Sequence, residues 1–157
     1  SHTGLKLWMV GNNTLPATFT KDLPGEAWAS PAVPKPRLLE LYRAASVLVL
    51  PTLAEGFAYV VLEAMAAGLP IITTRNSGCG SFVQDGVNGW LVPAGDAAAL
   101  ADRLQWCADN AARLPAMGEA SRARAARWTW DDFVQTHNRL IIEFVGSGRN
   151  GAKEHHA

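Results

Sequence analysis

The sequence holds only two cysteines among 157 residues, Cys79 and Cys107. Neither belongs to a CxxC or a Cys/His cluster, which excludes a disulfide framework and favours a reducing compartment. No charge of one sign dominates: 14 Lys and Arg balance 14 Asp and Glu. Nothing in that balance points to nucleic acid or to an anionic membrane surface. No apolar run approaches the roughly 20 residues that a membrane-spanning helix needs, and no signal-peptide pattern is visible. Histidine is scarce and badly placed, with His2, His155 and His156 at the ends and His137 inside a helical stretch. None of them supplies a catalytic base. What is present, 48% hydrophobic and 18% charged residues, describes one globular domain large enough to bury its own core.

The chain opens SHTG, without Met. Residues 1–2 read as a cloning scar, residues 3–145 as the domain, and the polar, Gly-rich end 146–157 as a disordered tail. The run LKLWMV (5–10) is a short strand closed by Gly11. A Pro-rich polar stretch follows, with a weak strand around 27–29. PRLLELYRAA (36–45) opens on proline and repeats Leu38, Leu41, Tyr42 and Ala45 at helical spacing. SVLVLP then reads as a strand buried on both faces. AYVVLEAMAA is a helix stopped by Gly68 and Pro70. PIITT and GWLV (89–92) are two more strands. A helix capped by Asp96 follows, with further helical stretches near 111–126 and 131–145. Short strands alternating with helices imply an α/β, Rossmann-like parallel sheet with helices on both faces. Ligands of such sheets sit at the carboxyl ends of the strands.

That places LAEGFAYVVLE (53–63), just past SVLVLP, where a ligand is expected. It carries two acids, Glu55 and Glu63, in otherwise apolar surroundings. With the helix starting near Phe57 or Ala58, the amides of Gly56 through Tyr59 point off its N-terminus and form an anion site suited to phosphate. Gly56 lets the backbone come close. Glu63 lies two turns on, about 8–12 Å from Glu55 by helical rise. Ionised carboxylates only accept hydrogen bonds, so pairs of hydroxyls are their natural partners. Two acids flanking a phosphate site suggest a ligand with a hydroxylated ring at each end. Two acids on the solvated face of a helix are the competing reading, and the apolar neighbours of Glu63 weigh against it.

The run LLELYRAASVLVLPTLAEGFAYVVLEAMAAGLPIITT, continuing to SGCGSFVQDGVNGWLVPAGDAAALADRL, resembles the donor-binding C-terminal domain of retaining GT-B glycosyltransferases of family 4. The hallmark of that family is Glu, seven residues, Glu, within E-G-F-G-x-x-x-x-E-A-M-A-x-G-x-P-V, and the match covers roughly residues 36–145. The resemblance implies a hexosyltransferase-like enzyme that transfers a sugar from a UDP-, GDP- or ADP-linked donor with retention. It implies that Glu55 is catalytic, holding hydroxyls of the transferred sugar and helping to stabilise the transition state. Gly56, Phe57 and Ala58 would cradle the diphosphate, and Glu63 would bind the ribose. No metal and no cofactor is implied, because cationic side chains and the helix terminus carry the leaving group's charge. A cytoplasmic location follows, with the full-length enzyme at the membrane periphery.

The sequence departs from the family in three places. Ala58 stands at the second glycine. Ser77-Gly78-Cys79-Gly80-Ser81 replaces G-G-x-P-E, without its Pro and Glu. The domain's first strand, with its Gly-Arg and Lys-Gly positions, and the N-terminal acceptor domain are both missing. The chain is therefore expected to be an N-terminally truncated half without turnover of its own, and its exposed edge invites a homo-dimer. The rival reading is a non-catalytic interaction or scaffold domain with the same fold. A dinucleotide fingerprint in SGCGSFV fails because Val83 stands where glycine is required. The segment reads instead as a turn with glycines for backbone freedom, and Cys79 as a bystander thiol. Arg75 is a candidate phosphate contact or a surface arginine. Trp128 and Trp130 read as packing anchors, and Asp131 and Asp132 as a helix start.

Overall fold

The computed structural model describes residues 5–12 and 26–128, and beyond them Asp131, Val134, Gln135, Asn138, Arg139 and Ile142. The chain divides into two compact units, Ser1–Ala125 and Ala126–Ala157. In the second unit, Trp130, Asp132 and most of the expected helix 131–145 lie outside the described residues. The site lies in the first unit.

Five strands and four α-helices are defined among the described residues, in the expected order: β1 Lys6–Val10, β2 Glu26–Ser30, α1 Lys35–Ala44, β3 Leu48–Leu50, α2 Tyr59–Ala66, β4 Ile71–Thr74, β5 Gly89–Val92, α3 Ala97–Asp109 and α4 Leu114–Ala125. All pairings are parallel, as helix-connected strands require. Among the described residues, however, the strands form two sheets instead of one: β1–β2, with Lys6 opposite Glu26, and β3–β4–β5.

Strand β4 is the centre of the larger sheet. Its four residues, Ile71 to Thr74, are all buried. Successive side chains of a strand point to opposite faces, so both faces of β4 are covered. Strand β3 departs from expectation, because Leu48, Val49 and Leu50 are only half-buried. Its ladder runs to β4 on one side, and no strand pairs with its other edge among the described residues. Apolar composition alone could not show that. In β1, Leu7, Trp8 and Val10 are likewise exposed.

On the β3–β4–β5 sheet, Ile72, Trp90 and Val92 pack with Cys107, Leu114 and Met117. Trp106 meets Trp90 edge-on at 4.8 Å between centroids. Burying a side chain of this size is worth about 1.5–3 kcal/mol. Helix α3 starts where Asp96 accepts a hydrogen bond from the Ala99 amide at 2.9 Å, a side-chain N-cap.

Helix α2, which carries the acids, is fixed at its far end. Gly68 closes it at φ +87°, and a Cβ added at Gly118 of α4 would lie 2.0 Å from the Gly68 carbonyl oxygen. The two backbones touch, and only glycine permits that approach. The Arg122 guanidinium donates to the carbonyls of Ala66 and Ala67 at 3.4 and 3.3 Å, satisfying acceptors left over at the helix C-terminus. With Val61, Ala64 and Met65 fully buried, α2 has little freedom to slide.

Candidate functional site

The loop from Pro51 to Ala58 leaves the carboxyl end of β3 and enters α2. The turn after β4 holds it by hydrogen bonds in register. Thr73 Oγ1 donates to the Leu50 carbonyl at 3.0 Å, and Thr74 Oγ1 to that of Thr52 at 2.8 Å. Asn76 Nδ2 donates to the Leu53 carbonyl at 2.9 Å. The Glu55 amide donates to the Asn76 carbonyl at 3.2 Å, and the Gly78 amide to the Glu55 carbonyl at 3.0 Å. Glu55 thus forms a short parallel bridge with Ser77. The polar groups of β4 and its turn extend the sheet by one more pairing.

That pairing changes the account of SGCGS. Gly78 and Gly80 are not among the positive-φ glycines, so neither serves the backbone freedom expected of it. A Cβ at Gly78 would fall 1.8 Å from the Gly56 carbonyl oxygen. Close approach is therefore what requires glycine at 78. At Gly56 itself an added Cβ would meet nothing within 4 Å, so the crowding lies behind the loop and the space in front is open.

Phe57 anchors the loop from the other side, meeting Tyr59 and Phe82 edge-on at 5.1 and 6.1 Å. Ala58 is buried and is the N-cap of α2 at φ −84°, a conformation open to any residue, so alanine in place of glycine costs nothing in backbone strain. Its carbonyl accepts from the Val61 amide at 3.0 Å and from the Cys79 thiol at 3.3 Å. No side chain caps α2. The amides of Gly56, Ala58, Tyr59 and Val60 donate to no carbonyl among the described residues. The positive end of the helix therefore opens beside Glu55, an arrangement that suits an anion.

Cys79 is fully buried, and burial pushes its thiol up, with the Glu55 charge adding to the rise. It is an inert thiol that ties the two loops together. Glu55 is exposed, and its carboxylate has no hydrogen-bond or ion-pair partner among the described residues. Arg75 is exposed at the end of β4, next to Asn76.

Glu63, one turn into α2, is in a different setting. Its Oε1 accepts from Lys35 Nζ at 2.5 Å and its Oε2 from the Tyr42 hydroxyl at 3.5 Å. Tyr42 is buried on α1. Burial first, then the charge and hydrogen bond of Glu63, pushes its hydroxyl up to about 12, so it remains a donor at neutral pH. Neither partner was legible beforehand. Tyr42 counted as one apolar position of a helix stripe, and Lys35 sits between two prolines, 28 residues before Glu63. Among the described residues no three His, Cys, Asp or Glu side chains group as metal ligands do, and no helix is long and apolar enough to cross a membrane.

The chain is similar to known proteins in sequence and in fold. The family model described as Glycosyl transferases group 1 matches residues 1–110. A D-inositol 3-phosphate glycosyltransferase of Streptomyces coelicolor is 37% identical over 126 residues, covering 80% of this chain and 28% of that protein. Among solved structures, a sucrose-phosphate synthase from Thermosynechococcus elongatus superposes with a TM-score of 0.72 at 26% identity, over 90% of this chain and 39% of the other. HepE of Anabaena in complex with UDP superposes with a TM-score of 0.58 at 25% identity, over 78% and 32% respectively. The chain thus spans about a quarter to two fifths of the proteins it resembles.

Proposed function

The chain belongs to the glycosyl transferases group 1 family, and from that premise we propose that it is the donor-binding domain of a retaining, family 4 glycosyltransferase. The donor would be a nucleotide diphosphate sugar. The observation that carries the reading is the α2 N-terminus, where the amides of Gly56, Ala58, Tyr59 and Val60 have no described partners beside Glu55, while Glu63 is held one turn into the helix. The diphosphate would lie on the amides of Gly56, Phe57 and Ala58, with Arg75 within reach of it. Glu55 would take hydroxyls of the sugar, and Glu63 those of the ribose. In the transfer, an acceptor hydroxyl oxygen would bond to the anomeric carbon as its bond to the phosphate oxygen breaks; the electron pair of that bond leaves on the diphosphate, which also takes up the hydroxyl proton. The helix end stabilises that developing charge.

The solved complex of HepE with UDP supports a nucleotide ligand for this fold. The strand orders β2–β1 and β3–β4–β5 match the two flanks of a doubly wound sheet whose central strand is not among the described residues. One further parallel strand between β1 and β3 would complete it. Phosphate-neutralising and acceptor-side groups belong, on this reading, to parts of such an enzyme outside this chain. The chain alone is therefore expected to bind donor without turnover.

The test is an amide-NMR titration with UDP, GDP and ADP in turn, following residues 56–63. Shifts with one nucleotide, abolished in Glu63→Ala, are expected. Silence with all three, repeated with one strand added ahead of β1, would favour a scaffold domain that keeps the fold without the ligand.

A further inference from the structure

The donor reading leaves unexplained why both oxygens of Glu63 are already engaged. Lys35 is the first residue of α1, and Pro34 and Pro36 on either side hold the backbone there near one φ. Its ammonium meets Oε1, while Tyr42, one helix stripe further along α1, meets Oε2. Both groups come from one rigid helix and act on a carboxylate carried by another, which is itself pinned by Arg122 and the Gly68–Gly118 contact.

A carboxylate offers about four acceptor positions, two on each oxygen. With one on each oxygen occupied, one on each remains, and the plane of the group is fixed. Two acceptor positions side by side in a fixed plane suit two hydroxyls on neighbouring carbons. They suit a single hydroxyl poorly.

We propose, building on the donor reading above, that Lys35 and Tyr42 are positioning residues that orient Glu63 to read a vicinal diol. They thereby make the site selective for ribonucleotides over 2′-deoxyribonucleotides. Neither residue touches the reacting atoms. Their effect is on which sugar the nucleotide end accepts, and it acts through the Glu63 carboxylate.

The experiment is calorimetric titration with whichever of UDP, GDP and ADP binds best, and with its 2′-deoxy counterpart. It is run on the unchanged chain and on Tyr42→Phe, Lys35→Met and Lys35→Arg. The unchanged chain should prefer the ribonucleotide. Loss of one ordinary hydrogen bond corresponds to roughly two- to tenfold in affinity. Tyr42→Phe and Lys35→Met should weaken the ribonucleotide by about that factor and leave the deoxynucleotide unchanged, so that the preference collapses. Lys35→Arg, which keeps a cationic donor, should retain it. The Lys35 side chain is 67% exposed, so its variants fold even if Tyr42→Phe does not. Equal weakening of both nucleotides, or no change in either, would overturn the positioning role while the donor site stands. If neither the unchanged chain nor the chain with one strand added ahead of β1 binds any of the three, the donor reading falls and this inference falls with it.

Discussion

Glu55 and Glu63 lie eight positions apart on one segment, yet the protein fixes them by different means. Glu55 is placed by its backbone. Its amide and carbonyl are bonded to Asn76 and Gly78, its carbon frame is strapped to the sheet, and its carboxylate is left to solvent. Glu63 is placed by its side chain, with an ammonium on one oxygen and a buried phenol near the other. A group held by its backbone can be changed at its tip without loss of fold. A group held at its tip can be changed there only at a cost in stability. The comparison separates residues that matter for chemistry alone from those that also carry structure.

The largest effect should come from breaking the backbone strap. Gly78→Ala drives a Cβ into the Gly56 carbonyl, and neither partner can yield because both are backbone. A loss on the order of 3 kcal/mol is expected, read by urea unfolding, together with displaced amide resonances over residues 53–58. A wild-type midpoint would mean that the two loops do not meet as described.

Next comes Glu63→Ala, which leaves the buried Tyr42 hydroxyl without its acceptor and Lys35 without its partner. A destabilisation of about 1–2 kcal/mol follows from the stranded donor; the exposed ion pair adds little. The same contact gives a pH dependence. Burial and the Glu63 charge push the folded Tyr42 hydroxyl up to about 12 from an ordinary value of 10.0. The folded state therefore binds this proton more tightly, and its contribution to stability is complete below pH 10. It is lost as pH rises toward 12. In Glu63→Gln the negative charge is gone, so the phenolate absorbance of Tyr42 should appear at lower pH than in the unchanged chain. Superimposable titrations would dissolve the contact.

The smallest effect belongs to Glu55→Ala. With an exposed side chain and no described partner, stability should stay within about 0.5 kcal/mol, checked by thermal unfolding. In the intact enzyme, turnover should nevertheless collapse. A clear loss of stability would show that Glu55 is structural, and the contrast between the two acids would disappear.

Much of this was legible in the chain. The order of strands and helices, the Asp96 cap and the stop at Gly68 all have local causes: apolar period, capping chemistry and a left-handed glycine. Glu55 and Glu63 stood out because acids are costly in apolar company. The role of Gly78 was misread, since a glycine needed for close approach looks in sequence like one needed for a turn. Lys35 and Tyr42 were missed for a related reason. Their meaning depends on α1 lying beside α2, and no short-range pattern announces which helices will be neighbours.

The half-burial of β3 belongs with these. Its sequence is that of a core strand, but burial depends on what pairs with it, and in the described residues only β4 does. The sequence by itself determined the elements, their order and the identity of the two acids, because each rests on interactions within a few residues. Only the tertiary structure decided how those acids are held, because the groups that hold them come from other elements and are brought there by packing.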